Sequence, residues 1–147
     1  MKPKILTANL IICEKVLAED DGVHSIIRMV DLFRFKPIET KPNEKAQIEL
    51  TTIAIFRLEP SDDTTHLVEL WLVRPSGLEV RVATLEMKAE GNAHDAPRGF
   101  NARGTMPIEP TEAGGHYISL RVDEVEVTKA YFTLEPTRTA SAKLTAN

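Results

Sequence analysis

Four histidines, a single cysteine and a scatter of serines are the residues with which this 147-residue chain could do covalent or metal chemistry. His24, His66, His94 and His116 stand singly. No His-x-His, His-Glu-x-x-His or Cys-x-x-Cys spacing sets up a zinc site, so each histidine reads as a strand-end or loop residue, or as part of a site assembled across loops. Cys13 lies between Ile12 and Glu14. A neighbouring carboxylate raises a thiol's pKa, so a packed thiol is expected rather than a nucleophile. Ser25, Ser61, Ser76 and Ser119 lie in no Gly-x-Ser-x-Gly elbow. No glycine-rich phosphate loop or dinucleotide turn is present either. Trp71, inside Leu70-Trp71-Leu72-Val73, reads as a buried inter-sheet residue, with a surface or interface anchor as the alternative.

The elements that must position these residues follow from hydrophobic periodicity, which here runs mostly at two residues. Ile5 to Glu19 alternates with Leu6, Ala8, Leu10 and Ile12 on one face, and Asp20-Asp21-Gly22 supplies a turn. Val23 to Phe35 reads as one returning strand, closed by Lys36-Pro37, and 37–45 as a Pro- and charge-rich connection. Further strands are expected over Ala46 to Leu58, Leu67 to Val73, and from Leu78, with a change of phase at Ala83 to Leu85 that suggests a bulge. Lys88 to Gly99 is the most loop-like stretch, and Phe100 to Ile108 a weaker strand. Tyr117 to Val122 and Val125 to Glu135 make a final hairpin about Asp123-Glu124. About eight strands at this spacing predict an all-β, single antiparallel β-sandwich over 1–136, immunoglobulin-like or C2-like, with a frayed tail over 137–147. The apolar density of Ile5 to Leu17 also fits a helix, which would make the fold α+β.

If each strand crosses the whole body, alternate loops share an end. Glu19-Asp20-Asp21, Ser61-Asp62-Asp63, His94-Asp95 and Asp123-Glu124 would then gather at one acidic end. Clustered loop carboxylates can hold calcium, a hard cation that takes six to eight oxygens, although aspartate is also a favoured turn residue. The opposite end would carry Lys41, Lys45, Ser76-Gly77 and Ala113-Gly114-Gly115, with no evident chemistry.

Composition bounds the partners. With 42% hydrophobic and 27% charged residues the chain is an ordinary globular protein, and its apolar runs are too interrupted by charge to span a membrane as a helix. The opening Met1-Lys2-Pro3-Lys4 leads into a run that reaches Glu14 and Lys15 without a small-residue cleavage site, so no signal peptide is expected. One cysteine cannot form an intramolecular disulfide, and a cytoplasmic protein is the expectation. Net charge is −4, and Arg28, Arg34, Lys36, Lys41 and Lys45 are interleaved with acids or apolar residues, so nucleic acid is not expected as a partner. Ile53-Ala54-Ile55-Phe56 and Leu70 to Val73 are continuous apolar runs whose strands need cover on both faces. A homodimer or partner-protein interface would supply it, as would long loops.

Leu10-Ile11-Ile12-Cys13-Glu14-Lys15-Val16, followed by Asp21-Gly22-Val23 and Ile26-Ile27-Arg28-Met29-Val30-Asp31, resembles the opening of a family of small uncharacterised bacterial proteins. The closing hairpin, Pro110 and Gly115-His116-Tyr117 with Val122-Asp123-Glu124 at its far turn, is similar to the last hairpin of many immunoglobulin-like domains. The resemblance covers about half the chain. It implies a β-sandwich in a bacterial cytoplasm and carries no catalytic residues with it.

The reading that follows is a non-enzymatic protein-interaction or scaffold module, acting on another protein or on itself. No catalytic, cofactor-binding or metal-ligating residue is assigned, and no cofactor or membrane partner is expected. A small-ligand or calcium-binding sandwich using the loops around Asp20, Asp62, Asp95 and Asp123 is the alternative, and an enzyme with a site assembled across loops, which a polar cluster around His94 would support, is the second.

Overall fold

A computed structural model describes residues 4–20, 24–35, 47–88 and 98–137. Among these residues every regular element is a strand, and no helix is long and apolar enough to cross a membrane. The nine strands are β1 (Ile5–Ala18), β2 (His24–Met29), β3 (Leu32–Phe35), β4 (Ile48–Leu58), β5 (His66–Val73), β6 (Glu79–Met87), β7 (Arg98–Ile108), β8 (Gly114–Val122) and β9 (Val125–Pro136). They form a four-stranded sheet, β2-β1-β4-β7, and a five-stranded sheet, β3-β9-β8-β5-β6. The all-β expectation holds, and the helix over Ile5 to Leu17 is replaced by the long strand β1.

The expected single strand from Val23 to Phe35 is two. Arg28 takes a positive φ of 52°, and the chain leaves the first sheet at Val30, whose amide still donates to the Ile12 carbonyl. It enters the second sheet at Asp31, whose carbonyl accepts from the Thr133 amide, so β3 runs parallel to β9. All other pairings are antiparallel. The extra crossing gives nine strands and reverses the end at which the β1–β2 turn lies.

One apolar cluster takes side chains from both sheets, among them Ile12, Leu50, Phe56, Leu58 and Met106 from the first and Leu70, Leu72, Ile118, Leu120 and Phe132 from the second. A register shift between Ile5 and Thr7 turns Ile5 inward beside Ala8 and Leu10, leaving Leu6 half exposed, against the simple alternation. In β6 the expected bulge falls slightly earlier, with Val82 the unmatched residue between Arg81 and Ala83, and Val82, Ala83 and Leu85 all reach the cluster. The β8–β9 hairpin closes on Asp123 and Glu124, whose positive φ values of 49° and 69° match a two-residue primed turn. The Lys88 to Gly99 connection lies mostly outside the described residues, as do 37–45, Gly22 and the tail from 138 onward.

Candidate functional site

His66, the first residue of β5, is buried and held at both ring nitrogens. Nδ1 lies 2.6 Å from Asp123 Oδ2 in the β8–β9 turn, and Nε2 lies 2.8 Å from Asp62 Oδ2 in the β4–β5 loop. Ionised carboxylates only accept hydrogen bonds, so both nitrogens donate and the ring is an imidazolium. Each remaining carboxylate oxygen also takes a backbone amide: Thr64 N–H donates to Asp62 Oδ1, and Leu67 N–H to Asp123 Oδ1, both at 3.0 Å. Burial alone would push His66 down, but the Asp123 and Asp62 hydrogen bonds and charges outweigh it and hold the ring above its ordinary 6.5. Burial would likewise raise the two aspartates, yet the His66 hydrogen bond, helped by those amides, holds both below the usual carboxylate range.

This triad uses carboxylate oxygens that the calcium reading needed. All four are engaged within the protein, and among the described residues no group of three or more His, Cys, Asp or Glu side chains is arranged to hold a metal ion. The acidic end is also divided. Asp62 and Asp123 meet, but β1 pairs antiparallel with β4, Ile5 against Leu58, so Asp20 beyond the far end of β1 lies at the opposite end of the body. Asp95 and His94 fall outside the described residues. At the other end Ser76 Oγ donates to Glu112 Oε2 at 2.8 Å and the Arg74 guanidinium donates to the Glu109 carbonyl, while Lys41 and Lys45 fall outside the described residues.

The remaining candidates are scattered. Cys13 is buried, its thiol donates weakly to the Thr51 carbonyl at 3.8 Å, and burial pushes its pKa up. His116 is fully buried and stacked on Phe132; its Nδ1–H donates to the Gly114 carbonyl, and Nε2 has no hydrogen-bond partner. Neither has the neighbours a nucleophile or a proton shuttle requires.

Trp71 corrects the expectation of an inter-sheet residue. Its neighbours Leu70 and Leu72 point into the core, so by strand alternation the indole lies on the outer face of the five-stranded sheet. There Trp71 Nε1–H donates to Glu69 Oε2, Arg81 pairs with the same carboxylate, and the Arg121 guanidinium stands 4.8 Å from the indole centre. Arg121 is itself tied to Glu79 and Ser119, and Ser119 donates to Glu126. On the next rung Tyr117 and Tyr131 face each other at 5.4 Å, with the Lys129 ammonium within 5.2 Å of the first ring and 5.5 Å of the second. Tyr131 is 62% exposed. Sequence patterning missed this face because its residues come from four strands; the alternation of Tyr117, Ser119 and Arg121 with the aliphatic Ile118 and Leu120 was the available signal.

The cover sought for the continuous apolar runs is largely internal. Ile53 and Val73, which point away from the core cluster, are 1% and 5% exposed.

No family model matches the chain, and no curated protein matches it. Among solved structures it is similar to the Pseudomonas fluorescens alkylpurine DNA glycosylase AlkC bound to DNA containing an abasic-site analogue. The identity is 11%, the TM-score 0.42, and the match covers 71% of this chain and 27% of that one, so the chain spans about a quarter of its neighbour's length. The exclusion of nucleic acid as a partner is withdrawn, since this neighbour is a DNA-bound protein and a missing basic stripe is too weak a ground to exclude one. A likeness at this level carries no argument about what this chain itself binds.

Proposed function

We propose that this chain is a β-sandwich module, immunoglobulin-like or C2-like in kind, that acts in the cytoplasm by binding another protein, or a second copy of itself, rather than by catalysis. The observation that carries the reading is the outer face of the five-stranded sheet. Trp71, Tyr117, Tyr131 and Arg121 are of the residue types that dominate binding energy at protein interfaces. They stand side by side on one sheet face, and the bonds among Glu69, Arg81, Arg121, Glu79 and Lys129 restrain their rotamers before any partner arrives. Less side-chain ordering then remains to oppose association, about 0.5–1.5 kcal/mol for each long side chain already held.

The test is capture of partners from native lysate by the tagged chain and by a Tyr117→Ala/Tyr131→Ala variant, with circular dichroism to verify that the variant folds. A stoichiometric protein retained by the native chain and lost from the folded variant is expected. Equal retention by both overturns the assignment of this face. Sedimentation at rising concentration distinguishes self-association, which the same pair of substitutions should abolish.

A further inference from the structure

We propose that His66, gripped between Asp62 and Asp123, is a proton-operated latch that fastens the β8–β9 turn to the β4–β5 loop while the imidazole is protonated and releases it when the proton leaves. The geometry requires a charged ring: two acceptor-only carboxylates lie at 2.6 and 2.8 Å on opposite nitrogens. Remove the proton and one carboxylate must face a ring lone pair at hydrogen-bond distance, inside a site where the His66 and Asp62 side chains are 5% and 2% exposed. Repulsion at that range with little solvent to screen it is relieved by separating the two segments. Asp123 is the partner free to move, because its side chain is 33% exposed and it sits in a two-residue turn with positive φ.

The charges that bear on the ring itself are those of the two aspartates, while the chain's amino-terminal charge also acts on Asp123. Of the elements packed against His66, β6 places Met87 opposite it, the β4–β5 loop contributes Asp62, and the β8–β9 turn contributes Asp123; no other charged group among the described residues acts on the ring. The latch also carries two backbone bonds across the same junction, Leu67 N–H to Asp123 Oδ1 and Asp123 N–H to the Leu67 carbonyl at 2.9 Å. These report its state.

Because the folded ring's affinity for its proton exceeds that of a free histidine, the latch is fastened below pH 6.5, as long as both aspartates remain ionised, and opens as pH rises through the raised value. The experiment follows the His66 ring resonances by NMR across pH, together with amide exchange at Leu67 and Asp123 corrected for intrinsic pH dependence. The expected result is that protection at both amides is lost with the same midpoint as the ring titration, above 6.5, while Ile118 in the core loses only the smaller amount set by the drop in global stability. In Asp123→Asn the ring midpoint should drop. The native chain alone decides the matter if that variant fails to fold. A midpoint at or below the ordinary value, or protection indifferent to the ring's protonation, overturns the latch.

Discussion

The Arg121 guanidinium lies over the indole of Trp71, its central carbon 4.8 Å from the ring. The contact fixes the orientation of the chain's single tryptophan and makes its fluorescence a reporter of the outer sheet face. Arg121→Ala should redden and broaden the emission by admitting water to the indole, while lowering stability by no more than about 1 kcal/mol, since partly exposed cation–π contacts and ion pairs are weak. Unchanged emission would show that the guanidinium does not shield the ring.

Acid should loosen the protein through the same cluster that base releases. Asp62 and Asp123 are held below their ordinary 3.8, so their contribution is complete above that pH and disappears as pH falls through the depressed values. With His66 setting the alkaline side, the triad contributes most between about pH 4 and 6.5. Urea midpoints measured across pH should show a shoulder over that interval. His66→Gln should flatten both limbs and cost about 3–5 kcal/mol by leaving a buried carboxylate unpaired.

At the β8–β9 turn, Glu124 adopts φ 69°, a conformation that costs a residue with a Cβ roughly 1 kcal/mol or more. Glu124→Gly should raise stability by several tenths of a kcal/mol, the relief of strain exceeding the entropy gained by the unfolded chain. A fall in the urea midpoint would mean that the Glu124 side chain supports the turn.

Cys13 should be inert while the protein is folded. It is 1% exposed and its pKa is raised by burial, so a disulfide-exchange reagent should titrate no thiol under native conditions and one in denaturant. Rapid native reaction would place the thiol at the surface.

How much of this was legible in the chain depends on range. The alternation in β8, the turn at Asp123-Glu124 and the phase change near Ala83 are local properties, and the strands they imply are where they were expected. The break between β2 and β3 was hidden because the apolar residues Met29, Val30 and Leu32 run on through the crossing, and the positive φ at Arg28 just before it is one that no residue type announces. That one missed crossing misplaced Asp20. The triad was half visible: Asp62 lies four residues before His66 at a loop-to-strand junction, but Asp123 arrives through the pairing of β5 with β8, a long-range register that periodicity does not contain. Trp71 was misassigned because a run of four apolar residues conceals which face is inside until the sheet order is known.

The parallel pairing of β3 with β9 bears on how the chain is made. Leu32 must wait for Thr133, about a hundred positions later, before it has a neighbour. The four-stranded sheet needs nothing beyond Ile108, so it can assemble on the ribosome while β8 and β9 are still unsynthesised. During that interval β3 is an unpaired edge, and so is the freshly formed β5–β6 hairpin, each open to pairing with a neighbouring nascent chain. Synthesis of β9 ends the exposure on one side of each of β3 and β8 at once, which makes the last strand the one whose truncation should leave a half-built, sticky polypeptide rather than a smaller folded one.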